Sequence, residues 1–347
     1  MKRNKKKAKI KKWHDYRSRK IGKSPKRNKR YNPNKNPIYK RRRYEFVEAE
    51  PIVAPANICI LKETEKSLNF FSELRRERNI SKIGRICFVQ IDISRVVEFD
   101  YSAICVLMAI VQDLKAKKIY VRGNFPDNKK CRDLIVESGL LTYMRDEKGK
   151  PFKKAEKSDL LFIEKGAKKL TREDNKQISD SLRKAAKYLT GEEKHLPKLR
   201  TILLEICGNS IEWGDTTNKE WLLGILYEDD KVTITITDVG KGILKTLNQK
   251  FKKVFMDTLS LKTDADILKG AFVQKYGSST REINRNKGLP SIKNGFDTGV
   301  IKNLKVLTNN VLVDFEDDTK TRIMRRGVFK GTLYCWEVTN ETIKKAI

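Results

Sequence analysis

Apolar and polar residues alternate from Lys231 to Asp238, so that Val232, Ile234 and Ile236 share one face. That two-residue period predicts a strand with one side buried. A helix-like stretch, Leu244 to Phe255, follows it. Towards the N-terminus, Ile58 to Leu61 reads as a short strand, Glu65 to Glu77 as a helix and Ile86 to Ile91 as a continuous apolar strand. Tyr101 to Leu114 has the pattern of an amphipathic helix, Lys118 to Arg122 of a strand, and Asn128 to Ser138 of a helix closed by Gly139-Leu140-Leu141. Further along come an apolar strand at Leu160 to Ile163 and a helix at Glu173 to Leu189. A turn at Gly191 then leads to a second helix, Pro197 to Trp213, and Leu333 to Val338 forms a closing strand. Strands alternating with helices at this spacing predict an α/β (α+β) chain, and 347 residues leave room for two domains.

Composition divides the chain unevenly. Residues 1–43 hold 21 Lys or Arg and one acid, Asp15, which leaves +12 of the net +32 for the other 304 residues. This stretch has few branched apolar residues, and a basic arm spanning residues 1–50 is predicted to be disordered in isolation. Trp13, Tyr16, Tyr31, Tyr39 and Tyr44 are interleaved with Arg17, Arg19, Arg27, Arg30 and Arg41-Arg42-Arg43. Aromatic rings can stack on bases while cations meet phosphates, so the arm reads as a nucleic-acid contact made through backbone and shape. A solubilising tail, an anionic-membrane patch, a nuclear localisation run and an acidic protein partner are the other uses of such charge. The longest apolar run, Ala103 to Val111, has nine residues, where a membrane span needs about 20. No hydrophobic segment follows the charged N-terminus, which argues against a secretory signal. Six scattered cysteines without a Cys-x-x-Cys pair, and only His14 and His195, point to free buried thiols in a reducing cytoplasm and away from zinc.

The candidate chemistry lies in two places that the periodic pattern brings together. Asp238-Val239-Gly240-Lys241-Gly242 closes the alternating strand, and Glu205 and Asn209 stand four apart on one face of the helix before it. A strand-end carboxylate can accept a hydrogen bond from an exocyclic amine, while glycines admit a flat ring or a phosphate. Glu and Asn oxygens can hold Mg²⁺ and orient water. Glu-x-x-x-Asn alone arises by chance roughly once in a chain this long, and Asp-x-Gly-x-Gly in well under about a tenth of such chains. As a set, and in this order, they resemble the N box and first glycine box of the GHKL ATPases. Gly277-Ser278-Ser279-Thr280-Arg281 stands where that family has its ATP lid. Asn286-Lys287-Gly288-Leu289 resembles the second glycine box, and Gly331-Thr332 the final Gly-Thr strand. Trp213 replaces the usual His of the N box, and Asn286 replaces a usual glycine.

The resemblance, from about Leu199 to Val338, implies a Bergerat-type α/β sandwich over residues 173–342 that binds ATP and Mg²⁺. It implies that Asp238 accepts from the adenine amine, with Gly240 and Gly242 close to the base and Thr332 supporting the pocket. Asn209 would hold Mg²⁺, and Ser279, Thr280, Arg281, Gly288 and Leu289 would meet the phosphates. Glu205 would be the base for water in a hydrolysing member, or an outer Mg²⁺ contact in a kinase.

Residues 56–144 resemble a STAS domain, carried by Asp92-Ile93-Ser94, Asp100-Tyr101-Ser102-Ala103 and Gly139-Leu140. In regulated members of that family the serine at the position of Ser102 is a phosphoacceptor; otherwise Ser102 is an ordinary first-turn residue behind an Asp100 cap. Residues 145–172 read as a connector. Three functions are open at this point: a bacterial ATP-gated switch or slow ATPase that associates with nucleic acid; an anti-sigma-type serine kinase with a STAS-like partner domain; and a nucleotide- and nucleic-acid-binding scaffold without turnover. The switch reading carries with it a protein partner or a homodimer.

Overall fold

The hydrophobic runs pair into a five-stranded and a seven-stranded sheet with one helix buried between them, and two further short strands pair with each other. The computed structural model describes residues 46–152, 161–167, 169–213, 220–250, 263–273 and 288–347, and in those Phe46–Ile347 forms one compact unit. The first part comprises Phe46–Val47 (β1), Ile52–Val53 (β2), Asn57–Ile58 (β3), Thr64–Glu73 (α1), Ser81–Ile83 (β4) and Ile86–Asp92 (β5). Glu98–Phe99 (β6), Tyr101–Ala116 (α2), Ile119–Gly123 (β7) and Lys129–Glu137 (α3) complete it. The second part begins with Leu161–Ala167 (β8), Arg172–Thr190 (α4), Pro197–Trp213 (α5), Glu220–Tyr227 (β9) and Lys231–Asp238 (β10). It continues with Ile243–Lys250 (α6), Asp264–Phe272 (α7), Gly288–Asp297 (α8), Lys302–Asn309 (β11) and Val311–Asp314 (β12). Arg322–Ile323 (β13), Phe329–Thr339 (β14) and Asn340–Ala346 (α9) close the chain.

In the first sheet β5 pairs in parallel with β2 and β7 and antiparallel with β4, and β4 pairs with β1. The second sheet has seven strands in the order β13-β12-β11-β14-β10-β9-β8, and every neighbour is antiparallel. The chain is thus a mixed α/β protein, with parallel and antiparallel pairs in the first sheet and antiparallel pairs throughout the second.

Helix α2 joins the two. It packs against β7 on one side and against β9 and β10 on the other, and 14 of its 16 residues are buried. Its sequence, YSAICVLMAIVQDLKA, carries no polar stripe to leave in water. The helix predicted as amphipathic is therefore apolar around its whole circumference, as a helix with core on both sides must be. Asp100 caps it, accepting from the Ala103 N–H at 2.6 Å. The Tyr101 hydroxyl donates to the Ile225 carbonyl of β9 at 3.2 Å. Gly224 makes this approach possible, because a Cβ there would lie 2.9 Å from the Tyr101 hydroxyl oxygen and closer still to Cys105 Sγ.

Two apolar layers result, one on each face of the seven-stranded sheet. Leu222, Val239, Leu307, Leu312 and Leu333 face α2 and the first sheet. Leu223, Ile225, Val232, Ile234 and Ile236 face the layer of helices α4, α5, α7 and α8. Several predicted boundaries shift for local reasons. The proline-containing stretch 48–55 contributes β2, and Phe46–Val47 at the end of the predicted arm contributes β1. Helix α1 stops at Glu73 rather than Glu77. The segment read as a connector carries β8, the edge strand beside β9. The stretch predicted as helix to Phe255 is described only as far as Lys250.

Candidate functional site

Strand β10 buries Val232, Ile234 and Ile236 towards α5, and the same alternation turns Asp238 to that side as the strand ends. In the ladder Asp238 stands opposite Thr332 of β14. Its side chain is buried, with 7 % of its surface exposed. Oδ1 accepts from the Gly240 N–H at 2.8 Å, a short turn that folds the chain back over the strand end. Oδ2 lies 3.4 Å from Ser210 Oγ on α5, a long contact, since the same hydroxyl stands 3.1 Å from the Ile206 carbonyl. Burial pushes the Asp238 carboxyl up to about 6, against the opposing pull of hydrogen bonds from Gly240, Ser210 and Thr332. Tyr334, next to it in the sheet, is driven well above the usual phenol range by burial and by the Asp238 charge.

The glycine turn is held from the strand beside it. Gly242 has φ +83, a left-handed conformation, and a Cβ there would sit 2.6 Å from Asn309 Oδ1 and 2.7 Å from Thr308 Oγ1. Those two residues serve the start of α6 in place of a local cap. Ile243 N–H donates to Thr308 Oγ1 at 2.9 Å, and Lys245 N–H to Asn309 Oδ1 at 3.3 Å. Asn309 Nδ2 donates to the Lys241 carbonyl at 2.9 Å, and Thr308 Oγ1 to the Gly331 carbonyl at 3.0 Å. One polar pair at a β-bulge therefore ties the glycine turn to the Gly331-Thr332 strand.

Helix α5 supplies the remaining described part of the site. Ile202, Leu203, Ile206 and Cys207 are buried, which leaves Glu205 and Asn209 half-buried and one turn apart. Asn209 meets the first residue of α8: a Cβ on Gly288 would lie 2.5 Å from Asn209 Nδ2. Leu289, next in α8, is half-buried. Asp238, Gly240, Gly242 and Thr332 thus gather at one end of the second sheet, while Asn209 and Gly288 meet on the helical layer over it. Ser210, which follows Asn209, links the two groups. Among the described residues no cluster of three or more His, Cys, Asp or Glu could hold a metal ion by itself.

Ser210, Thr308 and Asn309 were not among the residues picked out from the sequence. The polar run Thr308-Asn309-Asn310 between two apolar strands is a turn signal, but nothing in it points to a loop more than sixty residues earlier. Ser102, in the first turn of α2, is buried against the second sheet, with Oγ 3.0 Å from Thr235 Oγ1 of β10 and 3.7 Å from Cys335 Sγ of β14. An acceptor hydroxyl there would have to leave the interface before any kinase could reach it. Ser279, Thr280 and Arg281 lie outside the described residues. So do the arm residues Trp13, Arg17, Arg19, Arg27, Arg30, Arg41, Arg42 and Arg43. No helix among the described residues is long and apolar enough to cross a membrane. Comparison with protein-family models and with curated proteins finds no match to this chain.

Proposed function

We propose that the chain is an ATP-binding regulatory switch, or slow ATPase, of the GHKL type, with a STAS-like layer packed behind its sheet. One observation carries the reading: a buried strand-end carboxylate, Asp238, set at the glycine turn and held there by polar neighbours on Gly240, Ser210 and Thr332. Oδ1 takes the 2.8 Å bond from Gly240, whereas Oδ2 has a 3.4 Å neighbour in Ser210 that an exocyclic amine could displace. A carboxylate whose value sits near 6 is mainly ionised at pH 7 and is then an acceptor, as an adenine amine requires. Gly242 and Thr332 flank it, which suits a flat base. Asn209, abutting the start of α8, suits phosphate and metal, because Mg²⁺ commonly takes few protein ligands beside phosphate oxygens and water. Mg²⁺ would neutralise phosphate charge, with Asn209 as its protein ligand and Glu205 one turn away to orient water.

The STAS-like reading rests on the parallel β2-β5-β7 core with α2 and α3 around it. The buried Ser102 favours the switch over a serine kinase acting on its own STAS-like layer. The basic arm gives the switch a nucleic-acid partner, and a protein partner or second copy is the further expectation of a closing lid.

Calorimetric titration with ATP and Mg²⁺ tests the proposal. Wild-type protein should bind. Asp238→Asn and Asn209→Ala should bind at least about tenfold more weakly, the cost of one charge-assisted hydrogen bond or metal ligand. Glu205→Ala should bind normally and lose any hydrolysis. Unchanged affinity in Asp238→Asn would sink the adenine assignment.

A further inference from the structure

Behind the glycine turn, on the face of the sheet away from α5, one arginine gathers three elements. Arg75 lies just beyond the end of α1, and its guanidinium reaches into the seven-stranded sheet. Nη2 donates to the Val239 carbonyl at 3.0 Å, and Nη1 to the Lys330 carbonyl at 3.0 Å. Nη2 also pairs with Asp113 Oδ2 of α2 at 3.1 Å. Asp113 is almost wholly buried, its side chain 1 % exposed, and Lys117 Nζ shares the same oxygen at 2.8 Å.

The two carbonyls are not arbitrary points on the sheet. Val239 is the residue after Asp238, and Lys330 stands two before Thr332, the partner of Asp238 across the ladder. Lys330 also falls where the β11–β14 register shifts, between the Thr308–Thr332 and Asn309–Phe329 pairs. The guanidinium therefore spans both strand ends at the point where the carboxylate leaves the sheet. From strand β11, Thr308 and Asn309 hold the same turn. A planar fork with five donors can serve a carboxylate and two carbonyls together, whereas an ammonium on a flexible stem cannot hold that spacing.

We propose that Arg75 is a positioning residue of the nucleotide site, through which nucleotide occupancy and the seating of α1 and α2 on the sheet are coupled. The inference rests on the nucleotide reading above. Arg75 touches none of the side chains of the site; through the Val239 and Lys330 carbonyls it sets where the Asp238 turn lies. Coupling of this kind is reciprocal, so what nucleotide does to the turn must also reach α1.

The test uses the full chain, ATP with Mg²⁺, and two readouts: calorimetric affinity and amide hydrogen exchange of the peptides around Arg75 and Lys330. Arg75→Lys keeps a cation for Asp113 and should retain a melting temperature close to wild type. It should bind ATP about tenfold more weakly, and nucleotide should no longer slow exchange around Arg75 as it does in wild type. Ile110→Val loosens the same buried layer without touching the arginine and should leave affinity within about twofold. Three results overturn the inference while leaving the nucleotide reading intact: Arg75→Lys binding like wild type, exchange around Arg75 indifferent to nucleotide in wild type, or Ile110→Val losing as much affinity as Arg75→Lys. Wild-type protein that binds no ATP removes the nucleotide reading and this inference with it.

Discussion

In Asp238 the proposed function and stability pull against each other within one side chain. Its folded value, about 6, lies above the ordinary 3.8, so the folded chain holds an extra proton between those limits. A raised carboxyl contributes stability that is fully present below about pH 4 and is lost as pH rises through about 6. At neutral pH the folded protein thus carries a desolvated charge, and Asp238→Asn removes it while keeping an amide oxygen for the Gly240 N–H. The substitution should raise stability at pH 8 by about 1–3 kcal/mol, with the gain fading towards pH 4. Urea denaturation at pH 4, 6 and 8 measures this, and a variant less stable than wild type at pH 8 would contradict it. Gain of stability with loss of ligand is the signature of a site held for function. The motif made Asp238, Asn209, Gly242 and Thr332 legible, because each sits at a strand end or helix face that periodicity can locate. Ser210, Thr308 and Asn309 were not, since their partners come from 28 and more than sixty residues away and short polar side chains look alike in any turn.

Helix α2 is where pattern and packing part company. Periodicity predicts an amphipathic helix here, with Asp100 as its cap, but says nothing of what covers its faces. The missing polar stripe was the clue: Gln112 and Asp113 are its polar residues past the first turn and before the basic end, and both are buried. What covers the second face, β9 and β10, follows more than a hundred residues later, beyond the reach of any local window. Two-residue strands such as β1 and β2 were also invisible, because so short a run has no period. The buried position of Ser102 makes a prediction at this scale. Ser102→Glu should act as a packing defect rather than a switch, costing about 2–4 kcal/mol by placing an unpaired charge against Thr235 and Cys335. Chemical denaturation reads the cost. Mass spectrometry after incubation with ATP should find no phosphate on this serine, and stoichiometric phosphoserine there would restore the kinase reading.

Across the whole molecule, two truncations at the N-terminal end should have opposite outcomes. Phe46–Ile347 is one compact unit, and the face of the second sheet formed by Leu222, Val239, Leu307, Leu312 and Leu333 is covered by α2 and its neighbours. Removing residues 1–144 would expose that face, at about 25 cal/mol for each Å² of apolar surface returned to water, far more than a marginally stable domain can lose. The remaining chain should be insoluble or should bind a hydrophobic dye, despite carrying every residue of the proposed nucleotide site. Removing residues 1–43 takes away 21 cations and one acid and stops short of β1, so thermal stability and ATP affinity should be unchanged. Nucleic-acid affinity should not survive that cut. Each phosphate neutralised adds about −0.9 to the log–log salt slope on duplex and about −0.7 on single strands. If a third of the arm's cations engage, duplex binding should weaken by about a thousandfold or more between 50 and 200 mM salt. Substituting Trp13, Tyr16 and Tyr31 by Ala should weaken single-strand binding more than duplex binding, because stacking needs an exposed base face. Filter binding across a salt series, with the full chain and the arm-deleted chain side by side, separates the contributions. An arm-deleted protein that keeps the same affinity and slope would move the nucleic-acid surface onto the folded unit and leave the arm to a protein partner.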